Sequence, residues 1–253
     1  MSLIRFGDIT FDTDLIIFDK DGTITDFKKT WLPILEKRLE IILSKLNIAF
    51  HPEVIRSYVK QAFGIFNGYI DPYGPFPYST PWEDEIIFGT VLYRFGIPWQ
   101  KAKDTARYAI DRAEEELDRS RFAELYPGVR EVLEDLRKSG VLIALATADL
   151  TSIAYDTLKH VGIHDLFDFV VGADMVENDK PNPDMIDKIL DTLNVSRSKT
   201  VMVGDSITDM EMGKRANIGL VVGVLEGGVA AKKDLARIGD IVIDSVRDIS
   251  VVK

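Results

Sequence analysis

The stretch Leu15-Ile16-Ile17-Phe18-Asp19-Lys20-Asp21-Gly22-Thr23 runs four apolar residues straight into two carboxylates. An unbroken apolar run of this length, ended by turn residues, suits a strand buried on both faces of a parallel sheet. Residues two apart on an extended chain point the same way, so Asp19 and Asp21 are expected to share a site at the strand end. Two carboxylates side by side are unfavourable unless a cation or a shared proton relieves the repulsion. Gly22 allows a sharp turn that would aim backbone N–H groups at an anion. A plain acidic turn is the competing reading. A calcium-binding EF-hand is excluded, because its required Gly and Glu positions hold Ile24 and Thr30. A dinucleotide-binding motif is excluded too, since no G-x-G-x-x-G follows the strand.

Similar Val/Ile-rich runs recur at 141–146, 169–171, 201–203, 220–224 and 241–243. Amphipathic stretches alternate with them at 129–139, 152–161, 183–193, 209–216 and 229–238. This alternation predicts an α/β fold, a doubly wound and mostly parallel sheet with right-handed crossovers. In such sheets ligands sit at the carboxyl ends of the strands. Between residues 27 and 120 no strand pattern stands out. Helical periodicity appears there in Leu32–Leu46, in Ile55–Phe66 and from Ala102 to Leu117. The expected organisation is therefore a core domain, 1–26 plus 121–253, with an inserted all-helical domain at 27–120. Within the insert, 67–82 (NGYIDPYGPFPYSTPW) reads as a long loop. It is either a surface loop pinned by its own aromatics or a lid segment facing a substrate. Its region carries Phe66, Tyr69, Tyr73, Phe76, Tyr78 and Trp82, which suit either a pocket lining or a core.

Composition narrows the chemistry. The chain has 253 residues, 46% of them hydrophobic, a formal net charge of −10, three histidines and no cysteine. Disulfides, thiolate nucleophiles, cysteine–zinc sites and iron–sulfur clusters are excluded. The first residues, MSLIRFGDITFDTD, lack the basic start and apolar stretch of a signal peptide. No window approaches the ~20 apolar residues of a membrane span. A cytoplasmic protein with no membrane partner is expected. The acidic balance argues against nucleic acid as a partner. An anionic substrate would need a local cation to bind against that charge.

Other strand ends are polar as well. Val201-Met202-Val203 leads into Gly204-Asp205-Ser206-Ile207-Thr208-Asp209. Asp209 alone suits a helix cap as well as a ligand role. Two strands delivering Asp to the same edge of one sheet is the more telling pattern. Three or four carboxylates gathered there need a divalent cation, and oxygen-only ligation with few protein ligands suits Mg²⁺. The run at 141–146 ends in Thr147-Ala148-Asp149. Thr147 and the next N–H suit a phosphate oxygen, or else a helix cap. Lys180, within Asp179-Lys180-Pro181-Asn182-Pro183, sits on a backbone stiffened by prolines. At the same sheet edge it would neutralise a carboxylate and an anionic group.

In order, DKDGT, a threonine at a strand end, a lysine in KPNP, and GDSITD resemble the four motifs of the haloacid dehalogenase (HAD) superfamily. The insert resembles its helical C1 cap, as in phosphoglycolate-phosphatase-like members. The resemblance implies a Rossmann-like core and an Mg²⁺-dependent phosphatase acting through an aspartyl-phosphate on a small phosphorylated metabolite. It makes Asp19 the nucleophile and Asp21 the general acid/base, with Asp21 crowded by the other carboxylates. Thr147 and Lys180 would bind the phosphoryl group, helped by the N–H of Ala148, where many relatives carry Asn. The Asp19 carboxylate, the Asp21 main-chain carbonyl and the Asp205 carboxylate would hold Mg²⁺, with Asp209 nearby. Asp21 also speaks against a dehalogenase, which lacks this second aspartate. Phosphoglycolate is one implied substrate. A β-phosphoglucomutase-like transferase and a non-catalytic regulator are the alternatives. No oligomeric state follows from the sequence.

Overall fold

The computed structural model describes residues 2–46 and 51–252. It opens with a hairpin that the apolar runs did not reveal. β1 (Ser2–Phe6) and β2 (Ile9–Thr13) pair antiparallel across Gly7 and Asp8, with Gly7 at φ +55°. A Gly-Asp pair between alternating strands is a short-hairpin signal, and Ile4 and Phe6 turn inward while Leu3 and Arg5 face out.

β3 (Leu15–Phe18) follows, then α1 (Phe27–Lys45), α2 (Pro52–Ala62), β4 (Ile65–Phe66), β5 (Tyr69–Ile70), α3 (Pro81–Arg94) and α4 (Trp99–Glu116). The chain then alternates through α5 (Val129–Lys138), β6 (Leu142–Ala146), α6 (Thr151–His160), β7 (Phe169–Val171) and α7 (Asp184–Leu193). It ends with β8 (Thr200–Gly204), α8 (Ile207–Arg215), β9 (Leu220–Val224), α9 (Lys232–Ile238), β10 (Ile241–Ile243) and β11 (Ile249–Val251). Six strands form one sheet in the order β10-β9-β8-β3-β6-β7, and all its pairings are parallel. These are the six apolar runs of the sequence. β11 returns to β1 in a separate three-stranded antiparallel sheet.

Both faces of the large sheet are covered, which is why its strands are apolar throughout. Ile16, Phe18, Ile143, Leu145, Val201 and Val203 pack with Val129, Leu133 and Leu136 of α5 and with Ala154 and Leu158 of α6. The alternate residues Leu15, Ile17, Ala144 and Met202 pack on the other face against Met185, Ile186 and Ile189 of α7 and Met212 of α8. None of the described helices is long and apolar enough to cross a membrane.

The chain divides into two compact units, Met1–Thr30 with Ser120–Lys253, and Trp31–Arg119, so that one division falls inside α1. The second unit is built mainly on α1 to α4, with Leu39, Ile55, Val59, Phe63, Phe88, Leu92, Ala102, Ala106 and Ala109 buried. Arg38, 5% exposed, is buried with its 2.7 Å ion pair to Asp84.

Two expectations for this region need correcting. It is not free of strands, because β4 and β5 form a hairpin whose turn, Asn67-Gly68, has φ of +50° and +83°. Asn-Gly is the dipeptide that turns of this kind favour, and it takes Phe66 out of the helical pattern. The presumed loop is also shorter than 67–82. Thr80 caps α3 through a capping box with Glu83, and Pro81 and Trp82 are already helical.

Helix α8 sits close to the sheet at Gly213. A Cβ there would lie 2.6 Å from Val221 Cγ2, and Val221 is fully buried. Alanine gains about 1 kcal/mol in helix propensity. Overpacking a rigid core costs about 1–3 kcal/mol. Gly213→Ala is therefore expected to lower Tm by about 2–4 °C. A thermal melt showing no change or a rise would refute the close seating of α8.

Candidate active site

β3 lies between β6 and β8. The chain leaves β3 toward β6 and β7 on one side, and later fills β8, β9 and β10 on the other. The carboxyl ends of β3 and β8 thus flank a switch point, where open α/β sheets bind ligands. The register pairs Phe18 with Val203, and the Asp19 N–H donates to the Val203 carbonyl at 2.9 Å. Asp19 therefore stands level with Gly204, and Asp205 is one residue further on.

Asp19, Asp205 and Asp209 come together there, with one carboxylate oxygen of each within 4.8 Å of the others. Their exposures are 8%, 2% and 1%. Asp209 is placed by helix geometry. It is the third residue of a capping box: its N–H donates to Ser206 Oγ at 3.2 Å, and its Oδ2 accepts from the Ser206 N–H at 3.2 Å and hydroxyl at 2.6 Å. Its other oxygen, Oδ1, faces the cluster, where it accepts from Lys180. Lys180 Nζ lies 2.6 Å from Asp19 Oδ1 and 2.7 Å from Asp209 Oδ1. The Lys180–Pro181 peptide is cis.

Asp205 is less well satisfied. Thr23 Oγ1 stands 3.5 Å from its Oδ1, a long contact, and its Oδ2 is buried without a hydrogen-bond partner among the described residues. Gly22, at φ +92°, closes over it, and a Cβ there would fall 2.0 Å from that oxygen. Gly227 does the same from another loop, at 2.2 Å. Only glycine fits either place.

These contacts set the charge states. Burial pushes the Asp19 carboxyl up to about 7, Lys180 opposes the rise, and the charges of Asp209 and Asp21 add to it. Burial, then the charges of Asp19 and Asp209, raises Asp205 well above the usual carboxylate range. Burial alone would lower the Lys180 ammonium, but Asp19 and Asp209 outweigh it and raise it. The lysine stays charged, and the carboxylates crave a further cation.

The Asp21 carboxylate is not one of the three grouped aspartates, although its charge still raises Asp19 and it shares the Lys20 ammonium with the Asp149 carboxylate. The chain bends at Gly22, and Asp21 Oδ2 meets Lys20 Nζ at 2.6 Å while its Oδ1 accepts from the Thr25 hydroxyl at 2.8 Å. Lys20 also reaches Asp149 Oδ2 at 3.0 Å, so the loops after β3 and β6 are joined by one buried ammonium. Lys20, Thr25, Asp149 and Gly227 were missed by the sequence reading. A residue between Asp19 and Asp21 is expected to point away from them, and only the bend brings it back. Thr147 is buried just past β6, with its hydroxyl accepting from the Asp149 N–H at 3.2 Å. It does not cap α6, whose N-cap is Leu150. Ala148 is exposed on the same loop.

In the unit formed by Trp31–Arg119, Tyr73, Tyr78, Trp82, Ile86 and Ile87 line a cavity of about 480 Å³. Phe66, Tyr69, Tyr73, Tyr78 and Trp82 are exposed, whereas Phe76 packs edge-on against Phe63 at 6.3 Å. These exposed aromatics are not core.

Comparison with known proteins agrees with this layout. A phosphoglycolate phosphatase of Psychrobacter arcticus is 28% identical over 208 residues, 82% of this chain and 81% of that one. A phosphorylated carbohydrates phosphatase of Thermotoga maritima is 36% identical over 158 residues, 58% of this chain and 72% of that one. The structure of a HAD-superfamily hydrolase, subfamily IA, variant 1, from Geobacter sulfurreducens shares the fold, with a TM-score of 0.64 at 18% identity over 94% of this chain and 95% of that one. Residues 13–217 match the hydrolase family described as haloacid dehalogenase-like, and with the doubly wound sheet and its buried aspartates they make this chain a member of that family.

Proposed function

We propose that this protein is an Mg²⁺-dependent phosphatase that hydrolyses small phosphomonoesters through an aspartyl-phosphate on Asp19. One observation carries the reading: three buried carboxylates and one lysine meet at the sheet's switch point, and one Asp205 oxygen there has no hydrogen-bond partner among the described residues. Hard oxygen donors of this number suit Mg²⁺. The Asp19 and Asp205 carboxylates and the Asp21 main-chain carbonyl would hold the ion, with Asp209 beside them. When bound, Mg²⁺ supplies positive charge against the phosphoryl oxygens and keeps the cluster ionised.

An Asp19 oxygen attacks phosphorus as the bond to the leaving oxygen breaks, and Asp21 gives that oxygen a proton. A water then attacks phosphorus and passes a proton to Asp21. The Asp19 oxygen departs with its electron pair and inorganic phosphate is released. Lys180, the Thr147 hydroxyl and the Ala148 N–H balance charge on the phosphoryl oxygens, the largest demand of a loose transition state. Residues 27–120 act as a cap that selects the leaving group, a role supported by the separate, compact unit Trp31–Arg119 within them, inserted after β3. The names of the relatives, phosphoglycolate and phosphorylated carbohydrate phosphatases, support small phosphorylated acids and sugars as substrates.

With Mg²⁺, the protein is expected to release phosphate from 4-nitrophenyl phosphate, and Asp19→Asn is expected to lower this by at least about a thousandfold. Near-full turnover by the Asn variant would end the nucleophile assignment. Transfer of the phosphoryl group back to a sugar, with no free phosphate, would favour a mutase.

A second expectation concerns pH. The Asp19 carboxyl is raised from its ordinary 3.8 to about 7, so between those values the folded protein binds more protons than the unfolded chain. Without divalent cation, this contribution is fully present below about 4 and lost as pH rises through about 7. Mg²⁺ competes with the proton, so saturating Mg²⁺ should raise Tm by about 5–10 °C at pH 7.5 and far less at pH 5. Equal shifts at both pH values would remove the carboxylate cluster as the cation site.

A further inference from the structure

We propose that Lys20 is a positioning residue for the proton-transfer work of Asp21, and that Asp149 keeps Lys20 paired whenever Asp21 turns to the substrate. This rests on the phosphatase reading above. Lys20 is 1% exposed, and its Nζ lies 2.6 Å from Asp21 Oδ2 and 3.0 Å from Asp149 Oδ2. The second Asp21 oxygen accepts from the Thr25 hydroxyl at 2.8 Å. Both oxygens of the carboxylate are thus held by donors of its own loop, with its orientation fixed.

To give a proton to a leaving oxygen, or take one from water, an Asp21 oxygen must come within about 2.6–3.2 Å of that atom. At least one of the two restraints must then release. If Lys20 had Asp21 as its sole partner, release would strand a buried ammonium, which is strongly unfavourable. Asp149 removes that obstacle. It comes from a different loop, the one carrying Thr147, and stays on the ammonium while Asp21 moves. Lys20 therefore defines the resting orientation of Asp21, and Asp149 makes departure from it tolerable. A purely structural staple between the two loops would leave the balance between good and poor leaving groups untouched.

That balance is the test. 4-Nitrophenolate leaves readily without a proton, whereas phenolate is a poorer leaving group that gains from one. Lys20→Met and Asp149→Asn are compared with wild type, with Mg²⁺, on 4-nitrophenyl phosphate and phenyl phosphate by rapid mixing. In both variants the first-turnover release of nitrophenolate should stay within about threefold of wild type. Release of phenol should fall about tenfold or more in Asp149→Asn, with KM changed less than threefold, and clearly less in Lys20→Met, where no ammonium has to be let go. Equal losses on both esters in Asp149→Asn, or no loss on either, would overturn the proposal. Should Lys20→Met fail to fold, Asp149→Asn, which keeps volume and shape, decides alone. Wild-type protein that frees phosphate from neither ester would instead defeat the phosphatase reading, which keeps the two failures distinct.

Discussion

Three carboxylates buried at one sheet edge, two of them bridged by one ammonium, are the constraint on which the rest of this structure turns. Ionised, the three aspartates and Lys180 leave a formal charge of minus two, which is the charge one divalent cation cancels. Without it, the group must take up protons, and burial drives Asp19 and Asp205 in that direction. Such a cluster is a poor way to stabilise a fold, since buried charges cost more in desolvation than they return unless fully paired. Its presence makes sense as a site.

The scaffold makes that expensive geometry rigid. β3 and β8 are hydrogen-bonded neighbours, and apolar layers fix both of their faces, so the levels of Asp19 and Asp205 cannot drift independently. Asp209 is locked to the first turn of α8 by its own capping box. The close approach of Gly213 to Val221 sets the distance of that helix from the sheet. Lys180 arrives from the long connection after β7, so the site closes only when three separate chain segments have folded together.

Much of this was legible in the sequence because its signals are local. Every strand of the parallel sheet is an uninterrupted apolar run, and Asp19, Asp205 and Asp209 follow two of those runs directly. The small antiparallel elements escaped because their signals are short: Gly7-Asp8 and Asn67-Gly68 each turn only a few residues of strand. Lys20 escaped for a different reason. Alternation along an extended chain places it opposite to Asp19 and Asp21, and that rule ends where Gly22 bends the backbone. Asp149 could be read as a turn residue, because the partner that gives it meaning lies 129 positions away in the chain.

The two lysines with buried side chains, Lys20 and Lys180, do different electrostatic work. Lys180 neutralises part of the cluster where a phosphoryl group would sit, and Lys20 is saturated by carboxylates of the flanking loops. Around them lies a chain of net charge −10, which repels phosphate esters at long range. That repulsion is screened over about 8–10 Å at physiological salt. Attraction in this protein must therefore act at contact distance, inside a site where solvent is excluded and each charge counts for more. The consequence, on the phosphatase reading proposed above, is that the global field works against capture, and recognition of a phosphoryl group would depend on a divalent cation first cancelling the charge of minus two that the aspartates and Lys180 leave.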